Sequence, residues 1–185
     1  MASATYKAFC GGIFETNCYL FEAAQGWILF DAPEGADHVQ DVAKVKRQFN
    51  CQIGCHPLTA PMISVRDFFR NFGFALEIEP VEPDFLIEEI PNRTFLGGDF
   101  QVLEVPGHCP GSLCFFSHKD RLLIGGDVLF AGSIGRGDLP GGDIDLLING
   151  IREKLFPLGD DVTVLSGHGP PTTIGQERLT NPFLR

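Results

Sequence analysis

Apolar runs alternate with turn-forming residues over the first thirty positions of the chain. Residues 6–9, 17–21 and 27–30 are rich in aromatic and aliphatic side chains, and polar or glycine-containing segments separate them. Short apolar runs bounded by turn formers are typical of β-strands. The pattern therefore predicts three strands that follow one another as a meander.

The period then changes to that of a helix. Apolar side chains recur three or four residues apart at Val39, Val42, Val45 and Phe49. Asp37 stands where a carboxylate favours the positive end of a helix dipole. We expect a helix over residues 37–49 that begins at the pair Asp37 and His38.

The rest of the chain is a mixture of short strands and helices. Predicted strands are residues 51–55, 101–105, 113–116, 121–124 and 162–165, and predicted helices are residues 64–72, 143–155 and 175–179. The Glu- and Pro-rich stretch 77–91 is expected to be a surface connection. With 185 residues, 22 Gly and 13 Pro, the chain is predicted to be one loop-rich α/β domain spanning residues 1–185.

Charge and composition limit the classes of partner that the chain is expected to bind. The net charge of -10 repels a phosphate backbone, and no run of Lys and Arg interrupts the acidic surface. No stretch approaches the ~18 apolar residues of a membrane span, and the N-terminus lacks the apolar region of a secretory signal. We expect a cytoplasmic protein that acts on a small molecule, without nucleic acid or membrane as a partner. The sequence leaves the oligomeric state open.

The cysteines are predicted to be reduced thiols, mostly buried. None of them forms a CxxC pair, and disulfides belong to oxidising compartments. They are Cys10, Cys18, Cys51, Cys55, Cys109 and Cys114.

Three polar residues stand just beyond the ends of predicted strands, in glycine-rich loops. They are His108 in Pro-Gly-His-Cys-Pro-Gly-Ser, Asp127 in Gly-Gly-Asp-Val-Leu-Phe and His168 in Ser-Gly-His-Gly-Pro-Pro. Glycine lets the backbone turn sharply and approach a shared centre, and two imidazoles with a carboxylate suit Zn, Fe or Mn. Asp37 and His38 add one ligand of each kind. These five residues are the predicted metal ligands.

Each feature also has a structural interpretation. A single His in a turn is more often structural than a ligand, and Asp after two glycines is often only a turn former. The conjunction of His, Asp and His at successive strand ends favours the metal. His56, before Pro57, and His118, at a hairpin tip, are interpreted as turn residues outside the site.

Several longer motifs follow in order along the chain. They are Asn17-Cys18-Tyr19-Leu20, Pro106-Gly107-His108, Gly126-Asp127-Val128-Leu129-Phe130, the loop at residues 135–142, Gly167-His168-Gly169 and Thr172-Thr173-Ile174-Gly175. Over nearly the whole chain they resemble the metallo-β-lactamase superfamily, above all its short glyoxalase-II-like (hydroxyacylglutathione hydrolase-like) branch. The resemblance implies a four-layer αββα sandwich of the α/β class, with two metals at one edge.

The resemblance also implies a role for each ligand. In the family, the motif HxHxDH gives two His to the first metal site and its Asp and last His to the second. By position, His108 matches the later His of the first site, Asp127 the bridging Asp, and His168 the final His of the second site. Asp37 and His38 match the end of HxHxDH. Asp37 and Asp127 are the expected catalytic carboxylates.

The chain departs from the family just before Asp37. Residues 33–36 are Pro, Glu, Gly and Ala, so neither upstream histidine of HxHxDH, at positions 33 and 35, is present. Family members carry a helix and a strand there, and mean element lengths put the missing segment at about twenty residues. The sandwich is therefore expected to lack one helix and one inner strand. Either the deletion is true or the sequence joins two stretches of a longer chain.

By resemblance, the expected activity is hydrolysis of small acyl thioesters through a metal-activated hydroxide. Zinc is the first choice of metal, with iron or manganese as alternatives. A first alternative is a crippled or non-catalytic family member with one metal, because the HxH ligands are absent. The third-ranked function, after hydrolysis and the non-catalytic member, is that of an iron enzyme like the persulfide dioxygenases of this superfamily. A lactamase is weaker still, since a fold does not give the substrate.

The sequence predicts that this chain binds about one transition-metal ion rather than two. The second-site ligands are all present, whereas the first site keeps only His108 and a share of Asp127. Elemental analysis of the purified protein, together with its intact mass, measures the metal content. Two tightly held metal ions per chain would contradict the prediction.

Overall fold

The computed structural model describes residues 6–11, 15–23, 26–31, 42–73, 78–90 and 99–185. Its N-terminal part contains β1 (Tyr6–Gly11), β2 (Thr16–Ala23), β3 (Gly26–Asp31), α1 (Val42–Phe49), β4 (Gly54–Cys55), α2 (Ala60–Ser64), a 3-10 turn (Phe69–Phe72) and β5 (Phe85–Leu86). Its C-terminal part contains β6 (Phe100–Glu104), β7 (Leu113–Ser117), β8 (Leu122–Gly126), β9 (Leu129–Phe130), β10 (Ser133–Ile134), α3 (Ile144–Gly150), β11 (Thr163–Ser166), β12 (Thr172–Thr173) and α4 (Ile174–Thr180). A π-helical turn (Ile151–Leu155) and a 3-10 turn (Phe156–Leu158) continue α3.

The first three strands form the predicted meander. β1 pairs antiparallel with β2, and β2 pairs antiparallel with β3. Cross-strand partners share a face of a sheet. The pair Tyr19 and Phe30 therefore lies on one face, which is buried, and the pair Leu20 and Leu29 lies on the other, which is more exposed.

The second sheet has five strands in the order β12-β11-β8-β7-β6. β7 is antiparallel to both β6 and β8, while β8 and β11 are parallel. β6, β8 and β11 therefore run in the same direction and end at the same edge of the sheet. The β8–β11 ladder shifts register between Leu165 and Ser166, next to that edge.

The two sheets pack face to face through aromatic rings. The ring centroid of Phe30 lies 5.0 Å from that of Phe100 and 4.8 Å from that of Phe115. Phe21 lies 5.6 Å from both Phe30 and Phe100, with the rings edge to face. Edge-to-face and tilted pairs at such distances add stability beyond burial alone. Aromatic packing thus fixes the first sheet on the second.

Helices cover the other face of the second sheet. The buried helical residues that pack on it include Leu147 of α3, Ile151 and Leu155 of the π-helical turn and Ile174 of α4. Their partners in or beside the sheet include Leu103, Val105, Phe116, Leu123 and Val164. The described residues thus supply three layers of the expected sandwich: a sheet, a second sheet and helices. None of the helices in the described ranges has the length and apolarity that crossing a bilayer requires.

The outer face of the first sheet carries exposed apolar side chains. Phe9, Trp27 and Leu29 are 53%, 52% and 42% exposed. The Lys7 ammonium lies over the Trp27 ring, 5.8 Å from its centroid. Within the part of the chain that the structure describes, this face is bare where the resemblance implies a helical layer. β3 is an edge strand in the same part of the chain. Residues 32–41, where the expected loss of one helix and one strand falls, lie outside the described ranges, so that loss stays a prediction.

Some elements differ from the sequence-based expectation. The helix predicted at residues 64–72 is wrong, because α2 begins four residues earlier and contains Pro61 in its first turn, where proline is tolerated. Val65 is already extended, and residues 69–72 form a separate 3-10 turn ending before Gly73. The strand predicted at residues 51–55 is shortened to β4.

Other expectations are confirmed or lie outside the described ranges. The helices predicted at residues 143–155 and 175–179 are present, although the second half of the first is π-helical. β9, β10 and β12 were not predicted, because two residues are too few to show a period. The helix predicted over residues 37–49 is confirmed from Val42 onward. Its start at Asp37 and His38 lies outside the described residues.

Substitution of Phe30 by Ala should lower the free energy of unfolding by about 3–5 kcal/mol, because it removes the ring that joins the two sheets. Leu29→Ala is the matched control on the same strand. Its side chain lies on the outer face, so the loss should stay below about 1 kcal/mol. Chemical denaturation of both variants measures the difference, and equal losses would show that the sheets do not depend on this ring.

Candidate metal centre

Three of the five predicted ligands lie at one edge of the second sheet. His108 is in the loop that follows β6, Asp127 directly follows β8, and His168 follows β11 by two residues. Because these strands run in the same direction, their ends bring the three side chains to the same edge. The structure thus places together the His, Asp and His that the sequence singles out.

Asp127 is the centre of this group. Its Oδ2 atom lies 3.7 Å from Nε2 of His108 and 3.6 Å from Nε2 of His168. His108 and Asp127 are buried, whereas the His168 side chain is 30% exposed. The group therefore has a buried side and a side that solvent or a ligand can reach.

These nitrogen-to-oxygen separations suit ligands that share a metal. A direct N–H···O hydrogen bond spans about 2.7–3.2 Å. Two ligands at ordinary zinc–nitrogen and zinc–oxygen lengths stand about 3.4 Å apart around a tetrahedral ion. Each imidazole can therefore hold a metal together with Asp127, whose carboxylate the two pairs share.

The described residues do not complete a metal site by themselves. Among them, no group of three or more His, Cys, Asp or Glu side chains has an arrangement that could hold a metal ion. The donor atoms fit a metal as two pairs around Asp127, and a complete site needs further ligands. Asp37 and His38, the other two predicted ligands, lie outside the described ranges.

A backbone carbonyl orients the ring of His108. Nδ1 of His108 lies 3.0 Å from the carbonyl oxygen of Arg136. A carbonyl only accepts, so Nδ1 carries the donated proton, and in the neutral ring Nε2 carries the lone pair. Metal-binding histidines commonly have such a second contact, which fixes their tautomer. His108 is therefore prepared to coordinate through the nitrogen that lies near Asp127.

Gly135 allows two loops of the site to touch. A Cβ atom at this position would lie 1.9 Å from the carbonyl oxygen of Asp127 and 3.2 Å from Cβ of His108. Any side chain here would separate the backbone after β8 from the loop at residues 135–142. The close approach therefore requires glycine at the head of this loop.

An ion pair holds the next part of the loop. Nε and Nη2 of Arg136 each donate to one carboxylate oxygen of Asp138, both at 2.7 Å. The hydrogen bond from this guanidinium lowers the pKa of Asp138 to about 2. Both side chains are largely exposed, so the pair contributes little to global stability. Its effect is local, on the residue whose carbonyl orients His108.

His56 and His118 make contacts of their own, apart from the group around Asp127. Nδ1 of His56 accepts a hydrogen bond from the Leu58 N–H at 3.2 Å, in the turn after β4. The His56 ring is buried, and Nε2 lies 3.6 Å from Glu104. Nε2 of His118 lies 2.9 Å from the side-chain oxygen of Gln101, at the opposite end of β6 from His108.

All six cysteines lie in the described ranges, and none forms a disulfide bond. Two are buried, three are half-buried and Cys10 is exposed, so burial is less complete than predicted. Cys109 follows His108, but its sulfur lies 3.4 Å from the Ser112 hydroxyl. It also packs with Met62 and Ile78 in a small apolar cluster. Its contacts are those of a residue that supports the loop.

Tyr19 supports the site in a way that sequence reasoning did not assign. Its hydroxyl donates to the carbonyl oxygen of Ser166 at 2.8 Å, two residues before His168. Burial raises the pKa of Tyr19 to about 12. The sequence feature that could have indicated this role is its place in the Asn17-Cys18-Tyr19-Leu20 motif. Side chains alternate between the two faces of a strand, so Tyr19 lies on the same face as Phe21.

Comparisons with known proteins bear on the family and the fold of this chain. The family model described as the metallo-beta-lactamase superfamily matches residues 36–168. The hydroxyacylglutathione hydrolase GloC of Haemophilus influenzae is 40% identical over 151 residues, which cover 80% of this chain and 71% of GloC.

Solved structures share the fold. BLEG-1 B3 metallo-beta-lactamase is 31% identical with a TM-score of 0.85, over 97% of this chain and 99% of that chain. The protein TTHA1623, solved in a di-iron-bound form, is 33% identical with a TM-score of 0.83, over 96% of this chain and 100% of that chain. The fold class that the sequence motifs predicted is thereby confirmed.

Alkaline pH should remove the stability that Tyr19 contributes. A tyrosine of the unfolded chain ionises near pH 10, whereas the pKa of folded Tyr19 is about 12. The neutral phenol therefore stabilises the fold below about pH 10, and this stabilisation is lost as the pH rises toward 12. Denaturant unfolding of wild type and Tyr19→Phe measures it. The wild-type advantage should fall above pH 10, and a constant difference from pH 8 to 12 would contradict the assignment.

Proposed function

Since the chain belongs to the metallo-beta-lactamase superfamily, we propose that it is a metal-dependent hydrolase of small acyl thioesters. The observation that carries the proposal is the position of two imidazole nitrogens, from separate loops, 3.6 and 3.7 Å from one carboxylate oxygen of Asp127. Strand ends that run in the same direction thus present nitrogen and oxygen donors to one small volume.

Each residue of the group has its own part in the proposal. His108 binds from the buried side, where the Arg136 carbonyl holds its ring. His168 binds from the open side, and Asp127 shares its carboxylate between the two. A metal held there would polarise the thioester carbonyl and lower the pKa of a water molecule.

Asp37 and His38 complete the second metal set in this proposal. With Asp127 and His168 they supply two carboxylates and two imidazoles, a donor set that suits Zn, Fe or Mn. Zinc is the proposed metal. Iron is the first alternative, because the similar protein TTHA1623 was solved in a di-iron-bound form.

The substrate class is supported by a relative. GloC, which is 40% identical, is named a hydroxyacylglutathione hydrolase, so a thioester of a small hydroxy acid is the proposed substrate. The proposed location is the cytoplasm, in keeping with six cysteines that form no disulfide bond.

The second candidate is a family member that binds one metal without catalysis. The observation that favours it is Pro33 and Gly35, which stand at the two positions where the family motif HxHxDH, counted back from Asp37 and His38, has its first two histidines. With one imidazole and a shared carboxylate, the first site holds a metal weakly. The two candidates differ in whether this chain retains weak, metal-dependent hydrolysis of a thioester or none.

Thioester hydrolysis should depend on the HxH segment. The chain as it stands should be weak or inactive on S-lactoylglutathione, because the first site lacks two ligands. A variant with a family-type helix and strand ending in His-x-His before Asp37 should gain activity by orders of magnitude. Steady-state assays with added zinc or iron measure kcat/KM for both proteins.

The control variants are made in the restored protein. Asp127→Ala should lower kcat/KM by more than about 100-fold, since loss of an outer-shell partner alone costs 10- to 100-fold. Asp161→Ala is the matched control: it removes an exposed carboxylate, paired with Arg121, beyond the other end of β11. Its activity should equal that of the restored protein. Full metal-dependent turnover by the chain without the added segment would contradict the prediction that hydrolysis requires the HxH ligands.

A further inference from the structure

Glycines flank His168 in its loop and leave the loop backbone few conformational restraints of its own. His168 stands between Gly167 and Gly169, and Gly169 adopts a left-handed φ of 71°. Glycines on both sides give the backbone unusual freedom. A metal ligand must nevertheless keep its place to within a fraction of an ångström. Groups outside the loop must therefore hold it.

One side of this support comes from the same sheet. The Gly167 N–H donates to the carbonyl oxygen of Gly126 at 2.9 Å, directly before Asp127. The Ser166 hydroxyl donates to the carbonyl oxygen of Leu129 at 2.7 Å. These bonds join the His168 loop to the strand end that carries Asp127.

The other side comes from Asn17, near the start of β2 in the first sheet. Its backbone N–H donates to the carbonyl oxygen of Gly167 at 2.8 Å. Its side-chain amide donates to the carbonyl oxygens of Ser166 at 3.1 Å and Gly169 at 2.9 Å. One residue thus reaches carbonyls on both sides of His168.

The acceptors explain why this position carries asparagine. The acceptors at 2.9 and 3.1 Å are carbonyl oxygens, and an amide NH₂ group supplies two donors in one plane. Aspartate has the same shape but no donor when ionised, and it would set a negative charge against two carbonyl oxygens. The Asn17-Cys18-Tyr19-Leu20 motif thereby gains a physical role, to which the Tyr19 hydroxyl adds a further bond to Ser166.

We infer that Asn17 is a positioning residue for His168. Gly167 lies between Gly126 and Asn17: its N–H donates to the carbonyl oxygen of Gly126, and its carbonyl oxygen accepts from the N–H of Asn17. From the first sheet, Asn17 thus holds the His168 loop by hydrogen bonds next to the end of β8, which Asp127 follows. It sets the affinity for a metal held by His168 and Asp127, and this part of the inference rests on the proposed function.

The test compares wild type with Asn17→Asp. Affinity for Zn²⁺ and Co²⁺, measured by competition with a chelator, should fall by about 10- to 100-fold. The visible absorption of the Co²⁺ form should change, because the geometry around the metal changes. Amide hydrogen exchange at residues 166–169 of the metal-free protein should become about tenfold faster, because the loop loses the two hydrogen bonds from the Asn17 side chain.

Ser117→Ala is the matched control for a general loss of stability. It removes a hydrogen bond to Asp120 in the hairpin between β7 and β8, at the far end of the sheet from Asp127. It should leave metal affinity and exchange at residues 166–169 unchanged.

Unchanged metal affinity and exchange in Asn17→Asp would overturn the inference. An equal loss of metal affinity in Ser117→Ala would overturn it as well, because reduced stability would then account for the effect. If wild type binds neither metal, the proposed function fails on its own. Exchange then decides the role of Asn17: faster exchange around His168 supports it, and unchanged exchange refutes it.

Discussion

The parallel pairing of β8 with β11 is the constraint on which the candidate site depends. It sets Asp127 and His168 at neighbouring strand ends, about 4.8 Å apart across the sheet. β7 separates β6 from β8, so His108 must reach across about twice that distance. It does so from a long loop, which a bond from the Asp143 N–H to the Gly107 carbonyl fixes on the start of α3. Register in one sheet thus positions two of the ligands, and loop anchoring positions the third.

The first sheet acts on this edge from outside. Its buried face docks through the rings of Phe21 and Phe30, and this docking places Asn17 and Tyr19 beside the His168 loop. Aromatic pairs tolerate a range of centroid distances, about 4.5–7 Å, whereas hydrogen bonds hold their donors and acceptors to within a few tenths of an ångström. The rings bring the sheets together, and the polar groups select the final position. Loss of the packing between the sheets would therefore shift the His168 loop as well as disrupt the core.

Much of the fold and part of the site could be predicted from the sequence. The meander follows from alternation, and His108, Asp127 and His168 stand out because glycine punctuates strand ends. The role of Asn17 could not be predicted, since its partners are some 150 positions away and depend on how the sheets pack. The contribution of Arg136 is a backbone carbonyl, which no residue pattern reveals. The helix at residues 64–72 failed because Pro61 begins a helix more readily than it interrupts one. Asp37 and His38 remain predictions.

The bare outer face of the first sheet has a consequence for how the protein behaves at high concentration. Copies of a chain with net charge -10 repel one another in dilute buffer. Added salt shortens the range of that repulsion from about 10 Å at 0.1 M to about 3 Å at 1 M, while Trp27 and Leu29 stay exposed on β3, an edge strand among the residues that the structure describes. We therefore expect apolar contact between molecules to gain weight relative to charge repulsion as the ionic strength rises, and the solubility of this chain to fall with it.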